Sequence, residues 1–224
     1  MLKFWLTLSL LMLAIAARAD EKSVRRLVEA AYPSFKIDSV VKTEFAGLYE
    51  VYLGGQIIYT DEQVKFIIAE GRLVEIKSKR DLTTERLDVL NRIDFKTLPL
   101  EQAIKVVKGD GSRKIAVFSD VDCPYCKVLE RNAFNTLSDI TIYTFLYPID
   151  SNHPDATRKS QMIWCAPNRS SAWQDWMLRS ELPKIETHCE TPLAKIKALA
   201  TRLNVTSTPT LFFSDGRRLL GAQP

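Results

Sequence analysis

No cysteine precedes Cys123 in this chain of 224 residues, and only Cys126, Cys165 and Cys189 follow it. Histidine is as scarce, with His153 and His188 the two present. A zinc site calls for two CxxC pairs, or a CxxC with paired histidines. Here the second cysteine pair is widely spaced and the two histidines fall on different segments, so the composition argues against a metal. Charge of one sign is also lacking. Lys and Arg number 31 against 27 Asp and Glu, with no basic stripe for nucleic acid or an anionic lipid surface. Beyond Ala16 no apolar run approaches the ~20 residues that a membrane helix needs. There is no internal repeat and no low-complexity tract.

The start of the chain carries what the rest lacks. Lys3 gives a positive start, Phe4 to Ala16 is uncharged and mainly apolar, and Ala17-Arg18-Ala19 forms an A-x-A cleavage site. Arg18 ends the run too soon for a membrane span, so Met1 to Ala19 is expected to be a cleaved secretory signal peptide. The mature chain then starts at Asp20. Its formal charge is 31 − 2 − 27 = +2, because Lys3 and Arg18 leave and no acid does. Export places it in an oxidising compartment where disulfides persist.

Two domains are expected. Val24, Leu27, Val28 and Ala31 share one helical face, and Pro33 ends that helix. The pattern then turns to strands. LYEVYL and QIIYT flank Gly54-Gly55 as a hairpin, and Val64–Ile68 and Leu73–Ile76 flank Glu70-Gly71 as a second one. A unit of about sixty residues is marginal alone and has no cysteine to staple it. Pairing through an exposed strand edge or packing against the rest of the chain would complete it. Residues 83–93 read as a linker helix, capped by Thr83 or Thr84 and striped by Leu87, Leu90 and Ile93. Pro99 precedes a second helix, Leu100 to Val107, closed by Gly109-Asp110-Gly111. Strands follow at Ile115–Phe118 and Ile140–Phe145, and helices at about 155–166, 170–179 and 192–203, the last started by Thr191-Pro192. A terminal hairpin joins Thr210–Phe213 to Arg217–Leu220 through Asp215-Gly216. Strands alternating with helices predict an α/β sheet with helical insertions.

The chemistry concentrates in KIAVFSDVDCPYCKVLE, residues 114–130. Cys123 ends a turn after a buried strand, and Pro124 fits the first helical turn. The Cys123 sulfur then faces free N–H groups at a helix N-terminus, which favour thiolate and lower its pKa. Such a thiolate leaves readily, which makes its disulfide a ready exchange partner. Cys126, one turn on, is placed to resolve a mixed disulfide. A structural role is the weaker reading, because a CxxC disulfide closes a tiny loop and removes little unfolded-state entropy. Asp120 and Asp122 flank this turn and read as exposed. Thr206-Ser207-Thr208-Pro209-Thr210 precedes a strand. An X-Pro bond there is usually trans. In the cis form, the Thr208 backbone would offer a short β-edge beside Cys123 to an extended substrate. Asn168-Arg169-Ser170 and Asn204-Val205-Thr206 match glycosylation acceptors by chance.

FSDVDCPYCKVLE, the IWCA…C pair and TSTPTLFFSDGRRLLGAQP resemble the DsbC/DsbG family of bacterial periplasmic disulfide isomerases, as do LYEVYLGGQIIYTDE and GDGSRKIAVFSD. The resemblance implies an α+β chain: a small N-terminal cystatin-like dimerisation domain (20–82), a linker helix region (83–99) and a thioredoxin-like catalytic domain with a helical insertion (100–224). It implies Cys123 as nucleophile, Cys126 as resolving cysteine, Pro124 and Tyr125 as the active-site dipeptide, and Thr208-Pro209 as a cis-proline motif that binds substrate. Cys165 and Cys189 are expected to form a structural disulfide, with Cys165 buried in MIWCA. No cofactor and no metal is implied. The implied partners are misfolded disulfide-containing secreted proteins, a second copy of the chain, and a DsbD-type membrane reductase. The chain departs from the pattern in three ways. Pro-Tyr, which DsbG-like members also carry, stands between the cysteines where the best-known isomerase of the family has Gly-Tyr. Ala222 stands where an aromatic is familiar. The chain stops at Pro224 where the family fold continues into another helix: either the sequence is truncated or that helix is missing, and its absence would uncover apolar sheet surface. The competing functions are a DsbG-like sulfenic-acid reductase and chaperone, a thiol oxidase, and a non-enzymatic binding module.

Overall fold

The computed structural model describes residues 20–45, 47–185 and 189–222. The expected signal peptide, His188 and the last two residues lie outside this range. The chain divides after Leu90 into two compact units.

In the first unit, residues 20–31 form a helix (α1). Four antiparallel strands follow in the order β1 (Ile37–Lys42), β2 (Tyr49–Leu53), β3 (Gln56–Thr60) and β4 (Ile67–Ile68). Gly54 and Gly55 turn β2 into β3 with φ of +56° and +82°, the left-handed pair that a two-residue hairpin needs. One sheet face buries Tyr49 and Val51 against Val24 and Val28 of α1. The other face buries Tyr52, Ile57 and Tyr59 against Leu87 and Leu90 of a second helix, α2 (Leu82–Leu90). Two polar contacts pin α2 there. The Tyr59 and Thr83 hydroxyls lie 2.7 Å apart, and Arg86 Nε donates to the buried Glu50 carboxylate at 3.0 Å.

Three expectations fail in and around this unit. Residues 73–76 do not pair with 64–68. Instead β4 adds two residues to the edge of β3, and Val74 bridges Asp81. The helix cap is Asp81, whose carboxylate accepts the Thr84 N–H at 2.8 Å, while the Thr83 hydroxyl is committed to Tyr59 and to the Leu73 N–H. Ile93 is outside the helix, and its N–H donates to the Gly216 carbonyl.

The second unit is a five-stranded sheet in the order β5 (Ile104–Lys108), β7 (Ile140–Leu146), β6 (Arg113–Ser119), β8 (Thr210–Phe213), β9 (Arg218–Leu220). β6 and β7 are parallel and the other neighbours antiparallel. β5 replaces the expected helix at 100–107. The run IKVV is β-branched, and five residue pairs of register with β7 outweigh its helical spacing. Side chains alternate through the sheet. Ile115, Val117 and Ile142 pack towards Leu129 and Phe134. Ala116, Phe118 and Phe145 pack towards Ile196, Leu199 and Ala200 of α6 (Leu193–Arg202). Phe118 stacks on Phe145 at 5.0 Å and meets Phe212 edge-on. Helices α3 (Pro124–Leu129), α4 (Ala156–Cys165) and α5 (Arg169–Gln174) complete the layers, α3 and α5 each widening into a π-helical turn, Glu130–Phe134 and Asp175–Arg179. Gly216 joins β8 to β9 at φ +86°, and a Cβ there would lie 2.1 Å from the Ile93 carbonyl oxygen, so only glycine fits.

Candidate active site

Strand β6 delivers the cysteine turn to the carboxyl end of the sheet. Cys123 is the N-cap of α3, extended at φ −65° and ψ 121°, and Pro124 holds the first helical position. Cys123 and Cys126 are free thiols. Cys126 is fully buried and Cys123 nearly so, while Tyr125 between them is 67% exposed. The peptide bond between Thr208 and Pro209 is cis, and the Cys123 sulfur lies 3.4 Å from the Thr208 carbonyl oxygen, to which it donates when protonated. Residues separated by 85 positions in the chain thus meet at one sulfur.

The two sulfurs are electrostatically unlike. A hydrogen bond from the Cys126 thiol, outweighing the cost of burial, is the largest effect on Cys123. The Thr208 side chain and the N–H groups of Cys126 and Tyr125 add to it and bring its pKa down to about 5. Burial, and then the bond to Cys123, push the Cys126 thiol far up. One cysteine is therefore a thiolate at neutral pH, and its partner is a protonated reserve beneath it.

The turn that holds them depends on Asp120, which is fully buried rather than exposed. Its carboxylate accepts the N–H groups of Asp122 and Ile149, each at 2.7 Å, and lies 3.1 Å from His153 Nδ1. It ties the cysteine turn to the loop after β7. Asp122 is largely buried too, paired with Lys159 at 2.8 Å. Lys159 and Lys127 both sit over the Trp176 ring, at 4.8 and 4.6 Å, and the Trp176 indole donates to the Val121 carbonyl. Sequence reasoning missed this support. The one available signal was two acids directly behind an apolar strand, where a turn toward solvent is the commoner outcome.

Cys165 and Cys189 form a disulfide with Cα atoms 5.7 Å apart. Cys165 is half-buried, against the expectation of burial, and Cys189 is exposed. Among the described residues, no group of three or more His, Cys, Asp or Glu is placed to hold a metal ion.

Sheet order, helix-start dithiol and adjacent proline define a protein of the thioredoxin-like class. Residues 100–224 match the thioredoxin-like domain model, and residues 15–84 match that of the disulfide bond isomerase protein N-terminal domain. A probable thiol:disulfide interchange protein DsbC of Bordetella pertussis is 42% identical over 202 residues, 90% of this chain and 70% of that protein. The Escherichia coli protein DsbC is 27% identical over 211 residues, covering 93% and 85% of the two chains. A crystal structure of a disulfide interchange protein from Neisseria gonorrhoeae superposes with a TM-score of 0.55 at 45% identity, over 57% of this chain and 90% of that one. The chain belongs to the DsbC family of thiol:disulfide interchange proteins.

Proposed function

We propose that this protein is a periplasmic enzyme that reduces and isomerises non-native disulfides in secreted proteins. The observation that carries the reading is the asymmetric dithiol, with a stabilised Cys123 thiolate beside Thr208-Pro209 and a buried Cys126 thiol one turn below. Cys123 attacks a substrate disulfide, forms a mixed disulfide and expels one substrate thiolate. That thiolate can attack another substrate disulfide and return, which isomerises. Alternatively Cys126 attacks Cys123, which releases reduced substrate and leaves Cys123 bonded to Cys126. A DsbD-type membrane reductase then restores the dithiol. An extended substrate segment would lie along Thr208, whose carbonyl already faces the reacting sulfur.

The first unit is assigned to homodimerisation and to forming a cleft that holds misfolded chains. Phe66 (50%), Ile67, Ile68, Val74 and Ile76 (81%) are exposed on and beside the short edge strand β4. An apolar edge of this kind is suited to a second copy of the same edge. Met1 to Ala19 is read as the export signal. The lowered pKa of Cys123 also favours a second reading, a thiol oxidase, because a good leaving thiolate makes its disulfide oxidising.

The deciding experiment is refolding of a scrambled multi-disulfide protein by the purified mature chain, with light scattering in parallel. Isomerisation of the scrambled substrate by a dimer supports the proposal. A monomer that oxidises reduced substrate and leaves scrambled substrate unchanged supports the oxidase instead.

A further inference from the structure

Asp122 is joined to Cys123 by one peptide bond. Consecutive Cα atoms lie about 3.8 Å apart, which keeps the Asp122 charge within about 10 Å of the Cys123 sulfur in any rotamer. In a largely buried place such a charge is poorly screened, and alone it would oppose a thiolate. Its partner comes from another element. Lys159 of α4 reaches both Asp122 oxygens, at 2.9 and 2.8 Å, and the two side chains are only 18% and 17% exposed. A lysine on a flexible four-carbon stem does not keep such a position unaided. Here the Trp176 ring fixes it. The Lys159 ammonium lies 4.8 Å from the ring centroid. The Trp176 indole is anchored in turn by a 2.7 Å bond to the carbonyl of Val121, the residue before Asp122. Asp122, Lys159, Trp176 and Val121 thus form a closed circuit around the approach to the cysteine turn.

We propose that Lys159 is a positioning residue for the nucleophile, which pins the Asp122 carboxylate and balances its charge beside the Cys123 thiolate. This rests on the reading of Cys123 as the nucleophile. The other charged groups around the pair are committed elsewhere. Asp155, 3.7 Å from Lys159, takes two bonds from Arg158, each at 2.7 Å. Lys127 of α3, whose N–H donates to the Cys123 carbonyl, places its ammonium 4.6 Å from the Trp176 ring centroid. Asp175 and Arg179 pair with each other on the π turn that carries Trp176. Asp120 accepts the Asp122 N–H and lies against His153. Cys126 is fully buried one turn below. Among the described residues, Lys159 is therefore the cation in contact with Asp122. The lowered pKa of Cys123 agrees with an Asp122 charge that is balanced.

The test is iodoacetamide alkylation of Cys123 across pH in the reduced mature chain, read by mass spectrometry. In the wild type the rate should fall below about pH 5. Lys159→Met leaves the Asp122 charge unbalanced and should move that inflection up by about one pH unit. Lys159→Arg keeps the charge and should hold the inflection near wild type. Asp122→Asn leaves the cation unopposed and should move it down. Asp122→Asn combined with Lys159→Met should return it to the wild-type value, because both charges are gone. Equilibration with glutathione should follow the same order, with Lys159→Met shifted toward the Cys123–Cys126 disulfide, since its thiolate is disfavoured. If Lys159 merely braces the fold, Lys159→Met melts earlier with an unmoved inflection, and that overturns the proposal. So does a Lys159→Met shift that persists when Asp122→Asn is added. Where Lys159→Met does not fold, Asp122→Asn decides, and an unmoved inflection in that variant overturns the proposal. Reduction of a substrate disulfide that survives in Cys123→Ser overturns the reading of Cys123 as the nucleophile instead.

Discussion

The two cysteine pairs sit in one unit at opposite ends of their helices. Cys123 caps the N-terminus of α3, where backbone N–H groups point at its sulfur. Cys165 is the last residue of α4, and its sulfur lies 3.9 Å from the Cys189 carbonyl oxygen. The N-terminal end of a helix carries partial positive charge and the C-terminal end partial negative charge. A thiolate is therefore favoured at Cys123 and disfavoured at Cys165. Since a disulfide is reduced by expelling a thiolate, the proposed roles require the bond to be labile at one site and resistant at the other. Exposure alone would rank them the other way, because Cys189 is exposed and Cys126 fully buried.

The hardest test of this contrast removes one sulfur from the labile pair. Cys123→Ser should abolish reductase and isomerase activity, since no second thiolate is placed to attack. Cys126→Ser should instead accumulate mixed disulfides with substrate, visible on non-reducing gels. Equal trapping by both variants would remove the division of roles.

A smaller effect follows from the pKa itself. Alkylation of Cys123 by iodoacetamide should stay fast down to about pH 5 and fall below it. Thr208→Val removes a stabilising side-chain hydrogen bond, so the fall should come at higher pH. Stability is linked with a definite sign. The folded pKa lies below the unfolded thiol value of ~8.5. The reduced protein is thus stabilised fully above that value and loses the stabilisation as pH falls toward about 5. Urea unfolding of the reduced wild type against Cys123→Ser, across pH, measures it.

The reactive half of this contrast was more legible in sequence than its support. Apolar strand, short turn, CxxC and Pro124 state a helix-start dithiol through local rules, and Gly54-Gly55 and Asp215-Gly216 mark their hairpins the same way. What the sequence hid is non-local. Residues 104–107 carry an apolar pattern that suits helix or strand, and only register with β7 decides it. Asp120 looks like a surface turn residue until Ile149 and His153 close over it. The Thr83 hydroxyl is a plausible cap by sequence, but Tyr59 claims it. Each miss is a case where a partner distant in the chain outweighs a local preference.

That hidden support sharpens the comparison between the pairs. The labile pair has no permanent bond to hold its turn, so a buried carboxylate does the holding. Asp120→Ala leaves the Asp122 and Ile149 N–H groups without their acceptor and should cost about 1.5–3 kcal/mol, the range for hydrogen bonds to a charged group. Chemical denaturation measures that loss. A variant of wild-type stability would show that the turn is held by packing alone.

The smallest expected effect on activity comes from the resistant pair. The Cys165–Cys189 bond closes a loop across 24 positions of sequence and ties the exposed segment before α6 to the end of α4. Replacing both cysteines by alanine should cost about 2–4 kcal/mol of stability. Thermal unfolding and yield should register the loss. Activity per folded molecule should stay near wild type, because the Cys123 turn, Asp120 and Thr208 are untouched. The rival is a shuttle in which the second pair passes electrons to the first. Transfer would require a thiolate to leave from the carbonyl end of α4, or from Cys189 beside it, at the pace of substrate turnover. Quenched-flow alkylation with mass spectrometry distinguishes the two. Cys165 and Cys189 should remain joined while Cys123 and Cys126 cycle. If all four become alkylated at one rate, position on the helix does not set the role of a cysteine in this protein.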